Sequence, residues 1–177
     1  SMYTVAFSLI LQVVLMGTDQ SFVRMFYEYN EDQRPVLLWN SLIPSLSMSL
    51  LASAILLTFR REVSILLFDN PNLILPIVAL SLTIVLAVLE RFASLVLRMK
   101  KRGIAFSSLR VVSTASNAGG LIFYALLFGR DFYAVIFGTV ISHILVLLVS
   151  ILMEFDFWKK GFLLSISLMK KVILNLH

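Results

Sequence analysis

Long charge-free apolar runs alternate with short clusters of charge along this chain. Five runs read as membrane-crossing helices: residues 3–17, 35–59, 73–89, 111–128 and 132–153. Each is apolar enough for a bilayer, although the first is short for a full crossing. Pro35 suits the first turn of the second run, where its missing N–H costs nothing. Pro44 should kink the same run. That run also carries Asn40, Ser41, Ser45, Ser47, Ser49 and Ser53, a polar content that suits a helix facing other helices or a cavity more than acyl chains. Arg60, Arg61 and Glu62 end it, a short apolar stretch follows, and Asp69-Asn70-Pro71-Asn72 makes a turn. Glu90 and Arg91 mark the end of the third run, yet apolar residues continue at helical spacing through Phe92, Leu95, Val96 and Met99. Gly103 then reads as a helix stop.

Between the first two runs lies an amphipathic segment, residues 19–34. As a helix it sets Phe22, Met25, Phe26 and Tyr29 on one face, with Asp19, Arg24, Glu28 and Glu31 elsewhere. Aromatic rings on an amphipathic turn between apolar spans are expected at a membrane surface, at headgroup depth. Asp19 either pairs with Arg24 or caps the helix. In the fourth and fifth runs small residues recur four apart: Ala115 and Gly119, Ser116 and Gly120, then Ala134, Gly138 and Ser142. That spacing predicts close helix–helix approach.

Composition sharpens this picture. Hydrophobic residues make up 59% of the chain, charged residues 14%, and the mean hydropathy is +0.94. A soluble domain carries about 25% charged residues, so the expected fold class is all-α, a polytopic transmembrane helix bundle. With no cysteine, disulfide frameworks and thiolate metal sites are excluded. The first run is not expected to be a signal peptide, since no basic flank precedes it and no small-residue cleavage pattern follows. Ser1 ahead of Met2 reads as a tag remnant or as a cut within a longer chain.

The net charge of +5 matters less than its placement. If the spans alternate, Arg24, Arg34, Arg91, Arg98, Lys100, Lys101, Arg102, Arg110, Lys159, Lys160, Lys170 and Lys171 share one side, against Arg60, Arg61 and Arg130 on the other. Positive residues collect on the cytoplasmic side. The segment 19–34, the basic cluster and the tail 154–177 are therefore expected inside and the N-terminus outside.

Enzyme chemistry finds little support. His-Glu-Xaa-Xaa-His, Gly-Xaa-Ser-Xaa-Gly and the Walker lysine loop are all missing from the sequence. Asp69, Asp131, Glu154 and Asp156 are scattered on loops, and no nucleic-acid motif is present. No metal site and no cofactor is expected.

The run Gly17-Thr18-Asp19-Gln20-Ser21-Phe22-Val23-Arg24-Met25-Phe26-Tyr27-Glu28-Tyr29 resembles the segment after the second helix of bacterial polysaccharide (oligosaccharide) flippases. These belong to the multidrug/oligosaccharidyl-lipid/polysaccharide exporter superfamily. Arg91-Phe92 through Leu97-Arg98-Met99-Lys100-Lys101-Arg102-Gly103 is similar to the family's loop between helices four and five. The resemblance implies two pseudo-symmetric lobes around a central cavity, of which this chain would supply helices two to six; the second lobe would be its partner within the parent chain. It also implies a function: moving polyprenyl-pyrophosphate-linked oligosaccharide across the bacterial inner membrane.

A doubly charged pyrophosphate calls for planar cationic donors. Arg24, Arg91 and Arg98, near cytoplasmic helix ends, are the candidates; the alternative makes them topology determinants touching anionic membrane lipids. His143 is the one ionisable residue deep in a run. It is either a proton relay or sugar ligand, or a neutral imidazole bonded to a neighbouring helix. Asn40 and Asn117 either bind sugar hydroxyls or join helices. Two other functions stay open: a small structural or assembly protein of the membrane, and a multidrug-type exporter. Scarce carboxylates within the spans weigh against the exporter.

Overall fold

A computed structural model describes residues 2–70, 73–101, 103–128, 132–160 and 172 of the chain. Among these every regular element is a helix: α1 (Met2–Leu15), α2 (Thr18–Met25), α3 (Arg34–Thr58), α4 (Arg60–Phe68), α5 (Ile74–Met99), α6 (Gly103–Phe128), α7 (Phe132–Met153) and α8 (Phe155–Lys160). The fold class is thus the all-α bundle that the hydropathy pattern predicts. Helices α3 and α5, and Ile136–Met153 within α7, are long and apolar enough to cross a membrane. Helices α1 and α2 pass the same test together, bent by 51° at their junction. The expectations for Pro71, Asn72, Arg102, Arg130, Asp131, Lys170, Lys171 and most of the tail lie outside the described residues.

Helix α5 is the hub: it packs against α1, α2, α3, α4, α6 and α7. It does not end at Leu89. The buried face made by Leu80, Ile84 and Val88 continues unbroken into Phe92, Leu95, Val96 and Met99, and that packing carries the helix through Glu90 and Arg91. The break comes at Lys100–Lys101, where Lys101 adopts a left-handed φ of 55°. Gly103 opens α6 rather than closing a helix.

The α1–α2 bend turns on Met16 (φ 47°) and Gly17 (φ 74°). Left-handed backbone is strained for a side chain but free for glycine. The carbonyl of Leu15, left without a helical partner, accepts bonds from Thr18 Oγ1 (2.7 Å) and Ser45 Oγ (3.3 Å). Beyond the bend, α2 stops at Met25 and residues 26–33 form turns and an irregular link. The aromatic face packs against other helices. Phe22, Met25 and Phe26 are fully buried, with Phe22 edge-on to Phe92 of α5 at 6.1 Å. Burying a large apolar side chain contributes about 1.5–3 kcal/mol, and the neighbouring faces of α3 and α5 offer that burial directly. Arg34 closes the turn that follows, its Nε donating to the carbonyls of Phe26 (3.0 Å) and Tyr29 (3.2 Å).

The polar residues of α3 face other helices. Asn40, Ser41, Ser45, Ser49 and Ser53 are buried, whereas Ser47 is exposed. Ser45 Oγ contacts Thr18 Oγ1, and Ser53 Oγ donates to the Ser81 carbonyl of α5 at 3.0 Å.

Helices α6 and α7 meet along the small-residue stripes. Ser142 Oγ donates to the Ser113 carbonyl at 2.9 Å. A Cβ placed on Gly138 would lie 2.9 Å from the Asn117 carbonyl oxygen, and one on Gly120 2.9 Å from the Gly138 Cα. The other expected stripe of α6, Ala115 and Gly119, is exposed instead, and a Cβ on Gly119 would meet open space. Gly138→Ala should therefore push the two backbones apart and cost about 1–3 kcal/mol, whereas Gly119→Ala should be neutral or slightly stabilising. Thermal unfolding of the two variants in detergent checks this; equal melting temperatures would contradict the seam.

Candidate functional site

Because α5 runs on through Glu90, its polar residues Glu90, Arg91, Ser94 and Arg98 fall on successive turns of one helix. Residues three, four and seven apart share a face, which sets Arg91 and Arg98 along one side, about two turns from each other. Both are exposed at their tips while Phe92, Val96 and Leu97 between them are buried.

Two cavities open beside that face. One, of about 210 Å³, lies between α1, α5, α6 and α7; its polar lining is Glu90, Arg91, Ser94, Arg98, Arg110, Ser113 and His143. The other, an open groove of about 410 Å³, runs between α2 and α5 and is lined by Asp19, Gln20, Arg24, Arg91 and Arg98 among others. Arg91 and Arg98 line both, so the two spaces form one cationic surface on either side of α5. The three arginines predicted for a headgroup, Arg24, Arg91 and Arg98, are thus brought together in one groove.

Asp19 does not cap α2, and the ion pair it forms is with Arg91 of α5. The residue preceding α2 as its cap is Gly17, with no side-chain cap bond. Asp19 lies in the first turn, with its side chain 8% exposed, and takes both Nε (3.1 Å) and Nη2 (3.0 Å) of Arg91 on one oxygen, Oδ2. A carboxylate nearly out of solvent needs such a partner. The pairing leaves Arg91 half exposed and fixes the plane of its guanidinium.

One residue before Arg91, Glu90 lies about 100° round the helix and pairs with a different neighbour. Its Oε2 pairs with His143 Nδ1 of α7, each side chain 20% exposed. The imidazole also neighbours the Phe7 ring of α1, with ring centroids 6.0 Å apart. His143 is therefore bonded to a neighbouring helix, as one of the two sequence readings held, but the bond is to a carboxylate inside the cavity lining.

The asparagines part company with the arginines. Asn40 is fully buried on α3, its Nδ2 donating to the Val36 carbonyl at 2.8 Å, and it lines neither cavity. Asn117 lines a separate shallow groove on α6, which meets the smaller cavity at Ser113. Sequence reasoning missed Glu90, Ser94 and Arg110 as site residues, because Glu90 and Arg110 read as the ends of apolar runs. The unbroken helical spacing after Glu90 was the available signal. At the basic end, Lys100 pairs with Glu154 and lies 4.5 Å over the Phe157 ring, holding α8 to α5. Among the described residues no group of three or more His, Asp or Glu side chains is arranged to hold a metal.

Long apolar helices around a cationic cleft make this a helical membrane protein. The family described as polysaccharide biosynthesis protein matches residues 1–175, and the chain belongs to that family, with a role in polysaccharide biosynthesis and export. No curated protein and no solved structure matches it.

The Asp19–Arg91 pair should show in a double-mutant cycle. Asp19→Ala and Arg91→Ala together should be less destabilising than the sum of the two alone, with a coupling of about 1 kcal/mol because Arg91 is half in solvent. Strict additivity of the unfolding free energies would mean the pair contributes nothing.

Proposed function

We propose that the protein is a flippase that moves a polyprenyl-pyrophosphate-linked oligosaccharide across the bacterial inner membrane. The pyrophosphate is received on the arginine surface of α5, and a second lobe of the parent chain closes the path. One observation carries this reading: Arg24, Arg91 and Arg98, from two helices, converge on a single groove, and Arg110 extends the positive lining through the adjoining cavity. Four guanidinium groups on one cleft exceed what topology alone requires, and their planar forks suit phosphate oxygens. The membership in a polysaccharide family supports the same cargo. The basic cluster lies beside the tail helix α8, an arrangement consistent with a cytoplasmic position for that end and an outside N-terminus.

A multidrug-type exporter of cations fits less well. The two carboxylates of the cleft, Asp19 and Glu90, are already engaged by Arg91 and His143, leaving the surplus charge positive. The protein is read as a transporter and not as an enzyme.

In the full-length protein, Arg24→Ala, Arg91→Ala and Arg98→Ala should each weaken headgroup binding about tenfold or more, the loss expected for one charge-assisted bond. Cell-surface polysaccharide should fall while the amount of protein in the membrane stays normal. Wild-type polysaccharide in all three variants would overturn the headgroup site.

A further inference from the structure

The reading of the cleft as an anion site leaves one pair inside it without a part. Glu90 and His143 bridge α5 and α7, and both line the same cavity as Arg91, Arg98 and Arg110. We propose that this pair is a proton site linked positively to anion binding: the proton and the anion favour each other's presence in the cavity. This rests on the anion-site reading and adds the sign of its coupling.

The sign follows from the charges that face the pair. From α5 come Arg91 and Arg98, from α6 Arg110, while α1 contributes Phe7 and Leu11 and α7 adds Val146, none of them charged. On α2, Asp19 meets Arg91 from the other side and offsets part of its charge. Within the cavity lining itself, three arginines and one carboxylate give a formal charge of +2 with a neutral imidazole and +3 with an imidazolium. Anion and proton carry opposite charges into one partly enclosed space, where their interaction is less screened than in water. An anion therefore binds more tightly once the pair holds its extra proton. By linkage the anion must draw that proton on by the same factor.

Geometry makes the imidazole suited to the task. Its Nδ1 is paired with Glu90 and its ring neighbours Phe7, centroids 6.0 Å apart, so gaining a proton changes charge at a defined place in the lining. Glu90 has a second role as the only carboxylate among the described residues of that lining, where it limits the anion attraction of the three arginines.

The test uses the purified full-length protein in lipid nanodiscs and a dimethyl pyrophosphate diester, whose two charges stay constant over the range. Calorimetric titrations at constant ionic strength, in two buffers of different ionisation enthalpy, give affinity and proton uptake together. Wild type should bind about fivefold or more tightly at about pH 5.5 than at about pH 8, with net proton uptake on binding at intermediate pH. His143→Gln should lose that pH dependence and bind more weakly than wild type at the acid end. Glu90→Gln should bind more tightly than wild type at about pH 8, because it removes the negative charge. A structural role for the pair would weaken both variants at every pH, and that result overturns the proposal. So does a wild type that binds equally at both ends without proton uptake. Failure of wild type to bind the diester at any pH would instead overturn the anion site, and this inference with it.

Discussion

Two adjacent charges on α5, Glu90 and Arg91, each find a partner on a different neighbouring helix. Glu90 and Arg91 sit mid-helix in the helix that touches most of the others. Asp19 is nearly out of water and Glu90 largely so, and a charge there without a partner costs several kcal/mol, so the fold brings Asp19 of α2 to the half-exposed Arg91 and His143 of α7 to Glu90. Delivering Asp19 requires α2 to turn back against α5, which the 51° bend at Met16–Gly17 accomplishes. Delivering His143 requires α7 against α5, with α6 held on α7 by the glycine seam. The cavity between α1, α5, α6 and α7 lies where these requirements meet.

The apolar side of the structure serves the same end. Phe22, Met25 and Phe26 lock α2 onto α3 and α5, and the serines of α3 bond across to the α1–α2 junction and to α5. Outward-facing side chains are large and apolar, such as Leu126 at 80% exposed and Leu152 at 72%, as a lipid-facing surface needs. Apolar side chains thus fill the core and also cover much of the outer face, while the serines of α3 and the paired charges of α2, α5 and α7 are drawn between helices. Cationic groups are then concentrated in the two spaces beside α5.

Local periodicity makes much of this legible in the amino-acid sequence. The helical class, the inward polar face of α3 and the close seam between α6 and α7 follow from spacing and composition, whereas the three arginines come with the family resemblance and their place near helix ends. Hydropathy also misleads. It treats a charged pair as the end of a span, so Glu90 and Arg91 read as a boundary, although the apolar residues beyond them keep the same helical register. Aromatic residues on an amphipathic turn look alike whether they meet lipid headgroups or the flank of a neighbouring helix. Partnerships are the part least visible: Asp19 with Arg91 and Glu90 with His143 join positions 72 and 53 residues apart, and no pattern within one helix specifies which distant charge will answer it.

The central claim is that the arginine surface of α5 recognises the pyrophosphate of a lipid carrier. The most direct measurement compares binding of polyprenyl pyrophosphate and uncharged polyprenol to the purified full-length protein in nanodiscs of neutral lipid. The account predicts that the pyrophosphate lipid binds at least about tenfold more tightly, and that replacing Arg24, Arg91 and Arg98 together by alanine brings the two lipids level. Equal affinity for both lipids in the unaltered protein would contradict it.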